Sequence, residues 1–173
     1  KGKKEFRPVV SQGNFKETYL QMAVPIPSVK HEDTPALDAL SHILGGGEAS
    51  RLIQKVKLEK GLVNSISASS FTPKDPGAFI VGATLPVENL EKAMEAILKE
   101  IKGLGQDGAT TEELNRVKVS VESELIYDRQ TVQGQARKLG YYEVLTGDLQ
   151  FEKEYITRIS LLQSDDIKRM VEK

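Results

Sequence analysis

Apolar residues follow two periods along this chain, alternating near the start and recurring at helical spacing over most of the rest. Leu20, Met22 and Val24 alternate with Tyr19, Gln21 and Ala23, so Glu17–Val24 is expected as a half-buried strand. A short strand near Arg7–Ser11 and a turn at Gly13-Asn14 would make it the second arm of an opening hairpin, stopped by Pro25 and Pro27. Thr34 offers an N-cap with Pro35 at the first helical position, and Leu37, Leu40, Ile43 and Leu44 then repeat at helical spacing. Gly45-Gly46-Gly47 is expected to end that helix, because glycine enters the left-handed conformation that closes many helices. Ser50 should cap a second helix, with Leu52, Ile53 and Val56 on its buried side and Gly61 at its end.

Two more strands follow, Leu62–Phe71 and Ala78–Thr84, joined by a turn through Pro73, Asp75, Pro76 and Gly77. In the latter, Phe79 and Val81 point one way and Ala78, Ile80 and Gly82 the other, so both faces are apolar, as a central strand requires. Helical spacing then runs to the end. Leu90, Met94, Ile97, Ile101 and Leu104 form one stripe, and Thr110-Thr111-Glu112-Glu113 is a capping box before Leu114, Val117, Val121 and Leu125. Three shorter helices are marked by Val132, Ala136 and Leu139, by Asp148 capping Phe151, Tyr155 and Ile159, and by Ser164 capping Ile167 and Met170. Strands, two helices, strands and a helical tail define an α+β class, without the regular alternation of a doubly wound parallel sheet. The pattern reads as a single domain over 1–173, and its stop at Lys173 inside a helical segment is that of a piece of a longer polypeptide.

Composition narrows the classes of function. A chain of 173 residues can bury one core without metals or disulfides, and a net charge of -1 gives no field that would draw in nucleic acid. The local excess of Lys1, Lys3, Lys4 and Arg7 reads as a solvated terminus. No apolar run is long enough to span a bilayer, so no membrane insertion is expected. Cysteine is absent, which removes disulfides, thiolate catalysis and thiolate metal ligands and leaves the compartment open.

Candidate chemistry is thin. A catalytic zinc takes about three protein ligands, and this chain has two histidines, His31 and His42, with neither H-E-x-x-H nor H-x-x-E-H. Both are expected as surface residues, His31 in a polar loop and His42 near Asp38 on the first helix. Gly45-Gly46-Gly47 lacks the lysine and hydroxyl of a phosphate loop and follows a helix, where a nucleotide loop follows a strand. The pairs Glu112/Glu113, Glu122/Glu124 and Asp165/Asp166 are expected as caps and solvated faces. Tyr141, Tyr142, Phe151 and Tyr155 form either a recognition cluster or a helix-packing cluster beside Leu139, Leu145 and Ile156, and packing is the simpler reading.

One combination of segments is more specific than any single motif. Pro35-Ala36-Leu37, Ile43-Leu44-Gly45-Gly46-Gly47, Ser50-Arg51-Leu52, Glu59-Lys60-Gly61-Leu62, Asp75-Pro76-Gly77 and Tyr142 through Asp148, in that order, resemble the second, metal-free domain of the insulinase/pitrilysin metallopeptidases, the group of the mitochondrial processing peptidase. The resemblance covers about Arg7 to Lys173. It implies a mixed, largely antiparallel sheet with helices packed on one face, paired with homologous domains as halves of a clam shell around a peptide chamber.

Zinc would then be held in the parent's preceding domain by H-x-x-E-H and a downstream glutamate, with no metal or cofactor in this fragment. The implied role is chamber wall and domain interface of a zinc metalloendopeptidase acting on peptides, with hydrolysis performed elsewhere and this fragment inactive alone. The alternative is a domain of a non-catalytic scaffold subunit related to these peptidases. In the family, an arginine and a tyrosine on the opposite half of the clam shell bind substrate and the developing oxyanion, and the corresponding positions here are Lys57 and Asn64. Lysine lacks the planar fork, and asparagine cannot replace the phenol. This departure places the chain in the zinc-bearing half, with Lys57 and Asn64 near substrate but outside the catalytic apparatus. An independent small-molecule enzyme would need a pocket of convergent polar groups, which the sequence does not reveal.

Overall fold

A computed structural model describes residues 7–173, without the side chains at positions 125 and 128. Lys1, Lys3 and Lys4, and the side chain of Leu125, therefore lie outside the described residues. Three strands form one sheet: β1 (Thr18–Ile26), β2 (Ser65–Phe71) and β3 (Gly77–Leu85), in the order β1-β3-β2. Both pairings are antiparallel, so the mixed sheet implied by the resemblance is wholly antiparallel among the described residues. No strand forms near Arg7–Ser11, where the backbone is irregular and the side chains are exposed. β1 consequently forms one edge of the sheet among the described residues.

β1 runs through Pro25, which pairs opposite Ala78, because an edge strand tolerates a residue that cannot donate to a ladder. β3 is central, as its two apolar faces require, but the faces are unequal. Phe79, Val81, Ala83 and Leu85 are buried, whereas Ala78, Ile80 and Gly82 are half-buried. The buried set is in register with Leu20 and Met22 of β1 and with Ile66, Ala68 and Ser70 of β2. β2 turns Ser65, Ser67 and Ser69 to the other face, so the helices cover one side of the sheet.

α1 (Thr34–Gly45) lies on β2 and β3 and buries Leu37, Leu40, Ile43 and Leu44. Its N-cap is Asp33 and not Thr34, whose hydroxyl donates instead to the Ser28 carbonyl. Gly46 and Gly47 leave the helix, and Gly47 has φ +88°, the left-handed region that glycine alone enters cheaply. The second helix is wound wider than its spacing suggests. After two α-helical residues, Arg51 and Leu52, it becomes a π-helix over Ile53–Leu58, with the Glu59 amide reaching back to the Gln54 carbonyl. Leu52, Ile53 and Val56 are buried as the pattern requires, since their spacing does not distinguish α from π winding. Ser50 is no side-chain cap: its hydroxyl is buried with no hydrogen-bond partner among the described residues, and its carbonyl serves the helix by accepting from Gln54.

A short 3-10 turn (Val87–Asn89) leads into α2 (Leu90–Asp107), followed by α3 (Thr111–Arg129), α4 (Val132–Thr146), α5 (Phe151–Leu161) and α6 (Ser164–Glu172). The capping box of α3 forms as expected, with Thr110 and Glu113 exchanging bonds. Arg51 meets the same glutamate in a bidentate pair, Nε to Oε1 at 2.6 Å and a guanidinium nitrogen to Oε2 at 2.8 Å, and also donates to the Gly108 carbonyl at 3.1 Å. Ser50-Arg51-Leu52 is thus a staple between the π-helical segment and the start of α3. The N-cap of α6 is Gln163, one residue before the expected Ser164, and its backbone amide donates to Asp166. Asp148 does serve the start of α5, accepting from the Gln150 amide. α4 departs most from its pattern: Val132, Ala136 and Leu139, expected to face inward, are exposed, while Gly134 and Thr146 are buried.

α6 is tied back across the fold. Asp33, only 2% exposed, accepts from Arg169 at 2.5 Å and from Lys173 Nζ at 2.5 Å, and its own amide donates to His31 Nδ1. Burial alone would raise the Asp33 pKa, but the bonds from Lys173 and Arg169 outweigh it and hold the carboxyl below its ordinary value. Burial is likewise overcome at Glu113 by Arg51 and the Thr110 amide, and at Glu152 by Lys138 and Arg129. A carboxyl whose pKa is depressed by folding contributes stability above its unfolded value, and that contribution is lost as pH falls through the folded value. Melting temperature is therefore expected to be flat near neutrality and to fall steeply below about pH 4. An Asp33→Asn variant should melt lower at pH 7 and converge on the parent at acid pH, as followed by circular dichroism.

Candidate functional site

Asp38 and His42 sit one turn apart on α1 and therefore share a helical face. That face borders a groove of about 490 Å³ closed by the end of β2 and by α3, α4 and α5. β2 alternation turns Ser70 toward α1, and its hydroxyl donates to Asp38 Oδ1. Tyr155 of α5 donates its phenol to Asp38 Oδ2 at 2.7 Å. Tyr141, Tyr142 and Phe151 continue the wall, with ring centroids 5.5 Å apart for Tyr141–Tyr142, 5.7 Å for Tyr142–Phe151 and 6.4 Å for Phe151–Tyr155. Tyr155 packs against the core, while Tyr141 is half exposed at the groove mouth.

Burial raises the Asp38 pKa, and the bonds from Ser70 and Tyr155, with His42 nearby, oppose that rise without cancelling it. Burial and the Asp38 charge push the Tyr155 phenol well above its ordinary value, so it remains a donor. The same two causes raise Tyr141. Because Ser70 donates directly to the carboxylate, with no imidazole bonded between them, the set is not a nucleophile relay. It is a partly buried negative charge held by neutral donors and faced by rings.

Sequence reasoning identified the aromatic residues but missed the groove itself. Asp38 and His42 at helical spacing were a visible signal. Ser70 and Tyr155, which are 32 and 117 positions from Asp38, were not assignable without the fold. His42 is half-buried against the groove and not on the solvent side of α1. Lys57 is half-buried in the π-helical segment, and Asn64, across Gly61, is exposed, with its side chain donating to Glu17 and its amide to the Thr84 carbonyl. Neither lines the groove. Glu112 and Glu122 are exposed as expected, Glu124 is exposed at the groove, and Glu113 is buried in its pair with Arg51.

Zinc does not fit this donor set. Among the described residues no group of three or more histidine, cysteine, aspartate or glutamate side chains could hold a metal ion. His31 accepts from the Asp33 amide at 3.1 Å, and no helix among the described residues is long and apolar enough to cross a membrane.

A small antiparallel sheet covered by helices on one face, with the segments quoted from the sequence in the same order, is the architecture expected of a metallopeptidase-type domain. Residues 2–120 match the family model described as the peptidase M16 inactive domain, and the chain belongs to that family. The zinc protease PqqE of Helicobacter pylori is 25% identical over 166 residues, covering 94% of this chain and 36% of that protein. A crystal structure of a protease from Helicobacter pylori superposes with a TM-score of 0.83 at 24% identity, over 94% of this chain and 40% of that one. A chain of complex III from Candida albicans shares the fold at a TM-score of 0.77 and 17% identity, over 93% of this chain and 40% of that one. This chain spans about a third of the length of the curated relatives it matches.

Proposed function

We propose that residues 1–173 form one non-hydrolytic, C-terminal-type domain of a zinc metalloendopeptidase that encloses peptides or unfolded protein, contributing chamber wall and domain interface. The observation carrying this reading is membership of the inactive-domain family. Zinc would sit in the preceding domain of the same protein, and an opposing half, domain or subunit, would supply the substrate-binding arginine and tyrosine that Lys57 and Asn64 replace. Those two residues would lie close to substrate without touching the reacting carbonyl.

Peptide cleavage by the intact protein, stopped by chelation and restored by zinc, is the expected result. A glutamine for the glutamate of H-x-x-E-H in the preceding domain should abolish turnover, because that carboxylate activates the attacking water. Replacing Lys57 or Asn64 by alanine should change KM more than kcat, about 2- to 10-fold. A preceding domain without H-x-x-E-H, or an intact protein without zinc or cleavage, would overturn this reading. Such a result would favour a scaffold subunit, the reading to which the Lys57 and Asn64 departures also lend support.

A further inference from the structure

Asp38 is a half-buried carboxylate bonded only by neutral groups among the described residues. Among the described residues it makes no ion pair, and its bonds come from the neutral donors Ser70 and Tyr155. Each carboxylate oxygen has accepted one hydrogen bond and keeps a further lone pair. The other carboxylates with a displaced pKa each have a guanidinium or ammonium on them: Asp33 has Arg169 and Lys173, Glu113 has Arg51, and Glu152 has Lys138 and Arg129. Burial of an unpaired charge is costly, which makes Asp38 the exception that needs a reason.

The surroundings suggest one. Tyr141, Tyr142 and Phe151 face the groove with Asp38 at its inner wall and Glu124 also on the lining. Lys138 lines the groove too, but its ammonium is bonded to Glu152 at 2.8 Å, so its charge is matched locally. Aromatic faces carry negative potential, and rings grouped around a carboxylate attract an organic cation more strongly than either group alone. The groove, at about 490 Å³, has room for a long side chain and its flanking backbone.

We propose that this groove binds a lysine or arginine side chain presented by a peptide, with the ammonium or guanidinium on Asp38 and the aliphatic stem along Tyr141 and Tyr142. The occupant is the cation the fold leaves out, supplied in trans. Binding here holds whether or not the intact protein hydrolyses peptides, because none of these groups touches a scissile bond.

The test uses the intact protein with zinc chelated, so that cleavage cannot consume the probe. Calorimetry compares acetyl-Ala-Lys-Ala-amide, the same peptide with norleucine for lysine, and n-butylamine. The lysine peptide should bind at least about 10-fold more tightly than the norleucine peptide and more tightly than butylamine. Asp38→Asn, which keeps the shape and the Tyr155 bond, should remove that preference without lowering the melting temperature at pH 7. Tyr141→Leu, at a half-exposed ring, should weaken the lysine peptide about 2- to 5-fold. No detectable binding of the lysine peptide, equal binding of the lysine and norleucine peptides, butylamine as tight as the peptide, or an undiminished preference in a folded Asp38→Asn protein would each overturn the proposal.

Discussion

Gly45→Ala is expected to destabilise the domain by about 2–4 kcal/mol, more than an ordinary helical glycine replacement, because the added methyl has no space to occupy. A Cβ on Gly45 would lie 2.1 Å from the Ala68 amide nitrogen and 2.8 Å from the Ser67 carbonyl carbon, both backbone atoms of β2. Alanine normally favours a helix over glycine by about 1 kcal/mol, so the sign of the change separates the two explanations of this residue. A helix-stop role predicts little effect or a small gain. Close approach of α1 to β2 predicts a loss, read as a fall in melting temperature of roughly 5–15 °C for a chain of this size. Gly47→Ala, at a φ of +88° with open space around it, should cost only about 1 kcal/mol. Equal melting of Gly45→Ala and the parent would contradict the packing described for α1. The shape of the groove depends on the same contact, since Asp38 on α1 reaches Ser70 on β2 only at this spacing.

Arg51→Ala is expected to cost about 3 kcal/mol, at the lower end of the range for breaking a buried pair because the guanidinium is partly exposed. The loss has two parts. Glu113, 8% exposed, would keep its charge with only the Thr110 amide on it, and the Gly108 carbonyl would lose its donor. Adding Glu113→Gln to Arg51→Ala should recover part of the stability. A glutamine can still accept from Thr110 but leaves no uncompensated charge. Denaturant unfolding of the single and double variants measures this directly. If the double variant were less stable than Arg51→Ala, charge burial would not be the reason for the pair.

Much of the fold was legible because buried apolar side chains keep a fixed period. The three strands of the sheet, α1 and the capping box of α3 follow from alternation, helical spacing and cap chemistry, with boundaries displaced by one to three residues. What was not legible was non-local. Whether Arg7–Ser11 pairs depends on a neighbouring strand, and a π-helix buries the same Leu52, Ile53 and Val56 as an α-helix. The exposure of Val132 and Leu139 shows that apolar spacing fixes the face of a helix but not what covers it. Glu113 read as a cap, which it is, but its second role required Arg51 to approach from 62 positions away.

The role proposed for this domain is to support a zinc peptidase without holding its metal. The most direct test is elemental zinc per chain in the intact protein carrying both His31→Ala and His42→Ala, measured against the unaltered protein after the same dialysis. One zinc per chain is expected in each, because the proposed ligands belong to the preceding domain. Loss of zinc from a folded double variant would place a ligand inside this domain and contradict it.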